Sequence, residues 1–231
     1  MDGMHQRERG NQTGGIKEVH AIVLPVVKEP LLKRPLDILL SAFMMTVSAP
    51  VSLLIALGIK LEDGGPIFYR QERWGMGGKH FRAYKFRTMI PNSDELFGVK
   101  QAKENDLRIS RVGKVLRTMG LDELPQIINI FKGDMSFVGP RALAVGEFVH
   151  DENGEKVEYE EVPGFWKRLS VRPGLTGITT IYKPKDISPR RKFRYDLLYV
   201  RKQSFGLDLR LILMSFWISF RGKWETRGKK V

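Results

Sequence analysis

The adjacent acids Asp122 and Glu123, in RTMGLDELPQ, are the residues whose type and spacing best suit chemistry. They follow a basic segment and precede an apolar run begun by Pro125, which puts them near a helix N-terminus, where the helix dipole favours anions. Capping by first-turn acids explains that placement without any reaction. The basic neighbours point further: Arg117 lies five positions before Asp122, Lys114 three before that, and Arg108 and Arg111 stand upstream. A carboxylate attacks an activated phosphoryl group only when cations, typically Mg²⁺ with Arg or Lys, neutralise both anions. Two adjacent acids then allow one nucleophile and one metal ligand. A second cluster, GDMSFVGPR at 133–141, sets Asp134, Ser136 and Arg141 among glycine turns, a place able to hold phosphate or a nucleobase.

Other chemistries are excluded by what is missing. The chain has no cysteine, so disulfide scaffolds, thiolate metal sites and cysteine nucleophiles are ruled out. Its histidines, at 5, 20, 80 and 150, lack metal-ligand spacing, and no P-loop, GxGxxG, HExxH or GxSxG pattern occurs. The run Gly75-Met76-Gly77-Gly78-Lys79 has the wrong spacing for a phosphate cradle and reads as a hairpin turn. Against 26 acids stand 39 Lys and Arg, a net charge of +13 on 231 residues. Such a surplus calls for a polyanion: nucleic acid, an anionic membrane surface or phosphorylated substrates.

The elements that must position the acids follow from patterning. Residues 1–30 read as a flexible polar tail, with no apolar stretch beside a cleavage site. Within an anchor at 31–62, the segment 36–59 is almost wholly apolar, with Asp37 its one ionisable side chain. A helix of that length reaches across a bilayer's hydrocarbon core, about 30 Å. Pro50 at its middle predicts a sharp bend, with Ser48 and Ser52 placed to cap the freed backbone. Both flanks are basic, Lys28, Lys33 and Arg34 before and Lys60, Arg70 and Arg73 after, whereas positive charge normally marks one side. A re-entrant helix-bend-helix satisfies both observations; a spanning helix and a buried core helix are the alternatives.

The catalytic region expected at 63–182 opens with a short β-hairpin, 67–73 and 80–87, in which Phe81, Tyr84 and Phe86 alternate with basic residues. Short helices are predicted over 93–103 and 111–119, then a buried helix beginning at 124–131 with Pro125 in its first turn. Residues 143–162 carry seven acids and one Lys and read as an exposed insertion, and 172–181 as a turn followed by a strand. From 183 to 231 the chain carries 14 basic and 4 acidic residues around the apolar run 207–220, with Trp217 and Trp224 nearby. That run is too short to span, so it suits a headgroup boundary or a core helix. The fold class expected is α+β: a re-entrant membrane helix-bend-helix, a small helix-rich cytosolic domain with a short hairpin, and amphipathic interfacial helices.

The segments KRPLDILLS, GPIFYRQERWGMGGKHFRAYKFRTM, RISRVGKVLRTMGLDELPQIINIFKGDMSFVGPR and RPGLTGI, in this order and spacing, resemble the bacterial sugar transferases, the monotopic polyprenyl-phosphate phosphoglycosyl transferases. The resemblance covers about residues 30–220. It implies transfer of a sugar-1-phosphate from a UDP-sugar to undecaprenyl phosphate, yielding polyprenyl-diphospho-sugar and UMP at the cytoplasmic membrane, with Mg²⁺ as cofactor. By the same resemblance Asp122 is the nucleophile that forms a covalent phosphosugar-aspartyl intermediate, and Glu123 helps bind Mg²⁺. Arg117 matches an arginine that meets the polyprenyl phosphate, and Arg141 one tied to nucleotide binding. Lys85 and Arg87 of KFRTM, with Gln71 and Arg73 of RQER, match active-site or scaffold strands. The sequence departs from the family at Ala49-Pro50, where Ser-Pro is usual, and at Pro140-Arg141-Ala142, where Pro-Arg-Pro is usual. It departs also at Thr180, where Gln is common, and in the acidic insertion.

Two other classes compete. In a membrane-tethered nucleic-acid module, Phe81, Tyr84 and Phe86 would stack bases along a basic groove, but 36–59 would have no use and the acid pair would repel phosphates. In a structural scaffold the acid pair would be only a cap. The expected partners are therefore the UDP-sugar, undecaprenyl phosphate and membrane lipids, with no nucleic acid; a homodimer is left open.

Overall fold

The computed structural model describes residues 26–93, 106–150, 155–182 and 188–220. Helix α1 (Lys33–Asp63) holds 31 residues, about 46 Å of helix, and ends where Gly64 adopts a left-handed conformation. Its helical assignment continues through Pro50, where the sequence predicts a bend. Proline removes one donor, the one that would reach the Thr46 carbonyl, and helical backbone continues on both sides. The hydroxyls that bond back onto the helix are those of Ser41, to Ile38, and Thr46, to Ala42, rather than those of Ser48 and Ser52. Among the described residues α1 alone is long and apolar enough to cross a membrane, and only 11% of its most apolar window is buried.

Both ends of α1 are bound to the same globular body. At its start, the Lys33 ammonium donates to the Val138 carbonyl at 2.8 Å, the Tyr199 hydroxyl at 3.0 Å and Asp208 Oδ2 at 2.8 Å. Arg34 donates to the Ile130 and Phe131 carbonyls, both at 2.7 Å. Asp37 Oδ1 accepts from the Ser136 hydroxyl and the Phe137 amide. At its end, Ile55 and Ile59 pack with Phe86 and Leu116, Glu62 accepts the Arg111 and Val112 amides, and Asp63 pairs with Arg87. Between these ends Phe43, Val47, Leu53 and Leu54 are exposed.

The body follows in chain order. Strands β1 (Phe68–Trp74) and β2 (His80–Phe86) pair antiparallel in the expected hairpin, with Met76–Gly78 forming its turn. The helix expected over 93–103 lies, after Ser93, outside the described residues. Helix α2 (Arg111–Met119) is capped by the Ser110 hydroxyl on the Gly113 amide. Helix α3 (Gln126–Lys132) starts after Pro125, as expected. Strand β3 (Ser136–Val138) pairs in parallel with β6 (Gly174–Thr176), so close that a Cβ on Gly174 would lie 2.0 Å from the Gly139 amide nitrogen. That contact accounts for the first glycine of RPGLTG.

The acidic segment departs from expectation. Strands β4 (Phe148–His150) and β5 (Lys156–Glu158) form a second hairpin there, but Leu143, Tyr159 and Val162 at its ends are buried against Trp74, Phe165 and Phe193. Glu155, Glu158 and Glu161 face solvent while the apolar ends join the core, so charge count alone mistakes this half-buried element for an exposed insertion. Helix α4 (Phe165–Arg168) leads to β6, and α5 (Ile178–Tyr182) replaces the second half of the strand expected over 172–181. Helix α6 (Pro189–Lys202) and helix α7 (Phe205–Phe220) finish the fold. Helix α7 packs into the core through Leu211, Ile212 and Ile218, whereas Leu213, Phe216 and Trp217 are exposed. Trp224 lies outside the described residues.

Candidate active site

Gly120 closes α2 with φ +69°, its amide reaching back to Arg117 and Leu116, and that left-handed residue turns the chain at once. The single 3₁₀ turn Leu121–Glu123 follows, and Pro125 starts α3. The acid pair is thus fixed between two helices by a glycine and a proline, and Arg117 sits one turn before the glycine on α2.

Glu123 is the electrostatic centre. Its Oε1 accepts from Lys85 Nζ of β2 at 2.8 Å and from Arg141 Nη2 at 3.4 Å. Burial would raise its pKa, but Lys85, Arg141 and Arg73 together outweigh burial and hold the carboxyl well below its ordinary range. Burial pushes Lys85 down, opposed by Glu123. Asp122 behaves oppositely: burial, reinforced by the charge of Glu123, raises it, against the pull of Lys85 and Arg117. No other side chain hydrogen-bonds the Asp122 carboxylate among the described residues. Two neighbouring carboxyls with pKa values driven apart are suited to different tasks.

Arg141 is aimed from behind. The Gly174 amide donates to the Pro140 carbonyl at 2.9 Å, and Arg168, buried and paired with Asp196, donates to the Arg141 carbonyl at 2.5 Å. Asp196 is held in turn by the Thr179 hydroxyl at 2.7 Å. Nothing in the local sequence marks Arg168, Asp196 or Thr179, because their partners are distant in the chain. Arg73 donates to the Ala142 carbonyl at 2.6 Å and to Gln71 Oε1 at 2.9 Å, so Gln71 supports Arg73. Arg73, Glu123, Gln126, Arg141 and Gly174 line one cleft.

The structure therefore brings together Asp122, Glu123, Arg117, Lys85, Arg73, Gln71 and Arg141. Arg87 is not among those partners: it donates to Asp63, to the Pro66 carbonyl at 2.6 Å and to the Met89 carbonyl at 3.1 Å, joining the end of α1 to β2. Ser48 and Pro50 belong to α1, away from the cleft. Of the three polar residues of the second cluster only Arg141 reaches the site, since Ser136 is buried against Asp37 and Asp134 is bound by Asn129.

The acid pair also fits the mode in which Mg²⁺ binds, one or two carboxylates completed by substrate phosphates and water. Both cations meet Glu123 at Oε1, which leaves Oε2 and the Asp122 oxygens as donors. Among the described residues no group of three or more acids or histidines offers an all-protein cage.

Residues 28–222 match the family model described as bacterial sugar transferase. The chain belongs to the bacterial sugar transferases. This sugar transferase is 36% identical over 221 residues to a Klebsiella pneumoniae protein named UDP-glucose:undecaprenyl-phosphate glucose-1-phosphate transferase, covering 90% of the chain and 45% of that relative. It is 40% identical over 187 residues to the exopolysaccharide production protein PSS of Rhizobium leguminosarum bv. phaseoli, covering 79% and 92%. An Aeromonas hydrophila relative, 34% identical over 215 residues with 92% and 46% covered, is named UDP-N-acetylgalactosamine-undecaprenyl-phosphate N-acetylgalactosaminephosphotransferase. The chain thus spans less than half the length of the first and third of these relatives and nearly all of the second. It is a transferase by family.

Proposed function

We propose that this sugar transferase moves a sugar-1-phosphate from a UDP-sugar to undecaprenyl phosphate through a covalent intermediate on Asp122, at the cytoplasmic face of the membrane. The observation that carries the proposal is the split acid pair, in which Glu123 is neutralised by Lys85 and Arg141 while Asp122, beside it, keeps a carboxylate that no other side chain among the described residues hydrogen-bonds. An Asp122 oxygen attacks the sugar-bearing phosphorus, the bond from that phosphorus to the bridging oxygen breaks, and UMP leaves with the electron pair. A phosphate oxygen of undecaprenyl phosphate then attacks the same phosphorus and the aspartate is released as carboxylate. Lys85, Arg141 and Arg73 offset the diphosphate charge, and Arg117 faces the incoming lipid phosphate. Mg²⁺ held by Asp122 and Glu123 would neutralise the diphosphate further.

The membrane side of the proposal rests on α1. A spanning helix delivers its two ends to opposite compartments, whereas the ends of α1 are bonded to one body through Lys33, Arg34 and Asp37 at the start and Glu62 and Asp63 at the finish. A helix that enters and leaves by the same leaflet meets that condition, with its bare apolar middle in lipid and Trp217 of α7 at the headgroups. This arrangement holds Asp122 where a membrane-bound phosphate meets a soluble nucleotide. The relatives' names, which specify glucose in one case and N-acetylgalactosamine in another, motivate a panel of donors.

The test is to incubate the detergent-solubilised chain with Mg²⁺ and several UDP-sugars while following UMP, and to weigh the intact protein. With acceptor, continuous UMP release is expected. Without it, UMP equal at most to the amount of enzyme and a mass increase of one phosphosugar are expected. Absence of UMP with every donor would reject the reaction, and turnover without any adduct would reject the covalent step.

A further inference from the structure

Gln126 is the first residue of α3 and only 3% exposed, yet its side-chain amide makes no hydrogen bond, and its Nε2 is fully shielded from solvent. It is not capping the helix that it begins. A buried carboxamide without a partner is costly, and protein interiors seldom keep one without a reason. Arg73, 9% exposed, has the same defect at one atom: its Nη1 and Nη2 are taken by Ala142 and Gln71, while Nε is buried and unpartnered. Both side chains line the cleft that also holds Glu123 and Arg141. Gln126 Nε2 and Arg73 Nε are thus two shielded donors with no protein acceptor, in one cleft beside Glu123.

We propose that Gln126 and Arg73 form a two-donor subsite for an oxygen of the nucleotide half of the donor substrate. This rests on the UDP-sugar reading of the cleft and adds to it a residue, Gln126, with a defined task. Glu123 brings only acceptors to the cleft, so the two donors orient the nucleotide with its leaving phosphate away from that carboxylate. Nucleotide oxygens of two kinds suit such donors, phosphoryl oxygens and uracil carbonyls, and different ligands tell them apart.

The experiment is calorimetric titration of the detergent-solubilised full chain, with Mg²⁺ present, by UMP, uridine and pyrophosphate, comparing wild type with Gln126→Leu and Gln126→Glu. Leucine keeps the volume and removes the unpaired amide, so the variant should melt no lower than wild type while binding UMP about tenfold more weakly or worse. The second variant, Gln126→Glu, is nearly isosteric and trades the donor for an acceptor, so it should show an equal or greater loss. Loss with uridine as well as UMP assigns a uracil carbonyl, and loss with UMP and pyrophosphate but not uridine assigns a phosphoryl oxygen. Binding of all three ligands within twofold of wild type by both variants, or no binding by wild type, overturns the subsite. A wild type that binds UMP but releases none from any UDP-sugar would retire the transfer reaction and leave the subsite in place.

Discussion

Lys33 and Lys85 each meet a carboxylate at 2.8 Å, but the two pairs are finished to different degrees. Around Lys33 every valence is closed: its three protons go to Val138, Tyr199 and Asp208, and the second oxygen of Asp208 accepts from the Tyr199 hydroxyl at 2.7 Å. Both side chains are at most 3% exposed. Around Lys85 the valences stay open. Glu123 takes two cations on one oxygen, its other oxygen is left over, and the Asp122 carboxylate beside it is engaged by no neighbouring side chain among the described residues. The same residue types thus build a joint in one place and a receptor in the other, and completeness of hydrogen bonding separates them.

Substitutions can break that contrast from either side. The largest effect is expected from Lys33→Met, which leaves Asp208 buried without its cation and should lower unfolding free energy by ~3–5 kcal/mol in detergent denaturation. Adding Asp208→Leu should restore much of it, because the Tyr199 hydroxyl is then free to donate to the Val138 carbonyl, 3.2 Å away. A single variant as stable as wild type would show that this joint holds nothing. Asp122→Asn should do the reverse, cutting transfer by at least about two orders of magnitude with the melting temperature unchanged or higher. Near-normal turnover would remove Asp122 as nucleophile.

Acidification sharpens the comparison within the pair. The reactive form of Asp122 is the carboxylate, and its pKa is raised, so more of it is protonated at any acid pH than the ordinary value of 3.8 implies. Transfer should therefore climb with pH through a limb centred above 3.8, while Glu123, held low, stays ionised across that window. A limb at or below 3.8 in the pH–rate profile would contradict the assigned burial. The smallest effect is expected from Ser110→Ala, which removes the cap of α2 at a cost of about 0.5–1 kcal/mol, since Glu62 still accepts two amides there. Thermal melts should register it, and transfer should not.

What the sequence made legible was local. The alternation of Phe81, Tyr84 and Phe86 located the first hairpin, and Pro125 marked the start of α3 because turn chemistry acts within a few residues. Adjacency alone exposed Asp122 and Glu123. Distance hid the rest: Lys33 and Asp208 are 175 positions apart, so a buried pair looked like one flank of a membrane segment, and Arg34, counted with it, caps α3. Charge density likewise concealed the buried ends of 143–162, and the family resemblance set Arg87 beside Lys85 although its donors go to Asp63, Pro66 and Met89. Gln126 carried no signal because its distinction is a bond it lacks.

The start of α1 also has a consequence for anyone wishing to separate lipid attachment from catalysis by shortening the chain. Lys33 and Asp37 supply the counter-charge for Asp208 and the acceptor for Ser136 and Phe137 from within the most greasy element. Excising that element would strip β3 and α7 of their polar partners, so tethering and folding are a single inheritance, and water solubility has to be engineered on the exposed middle of the helix instead.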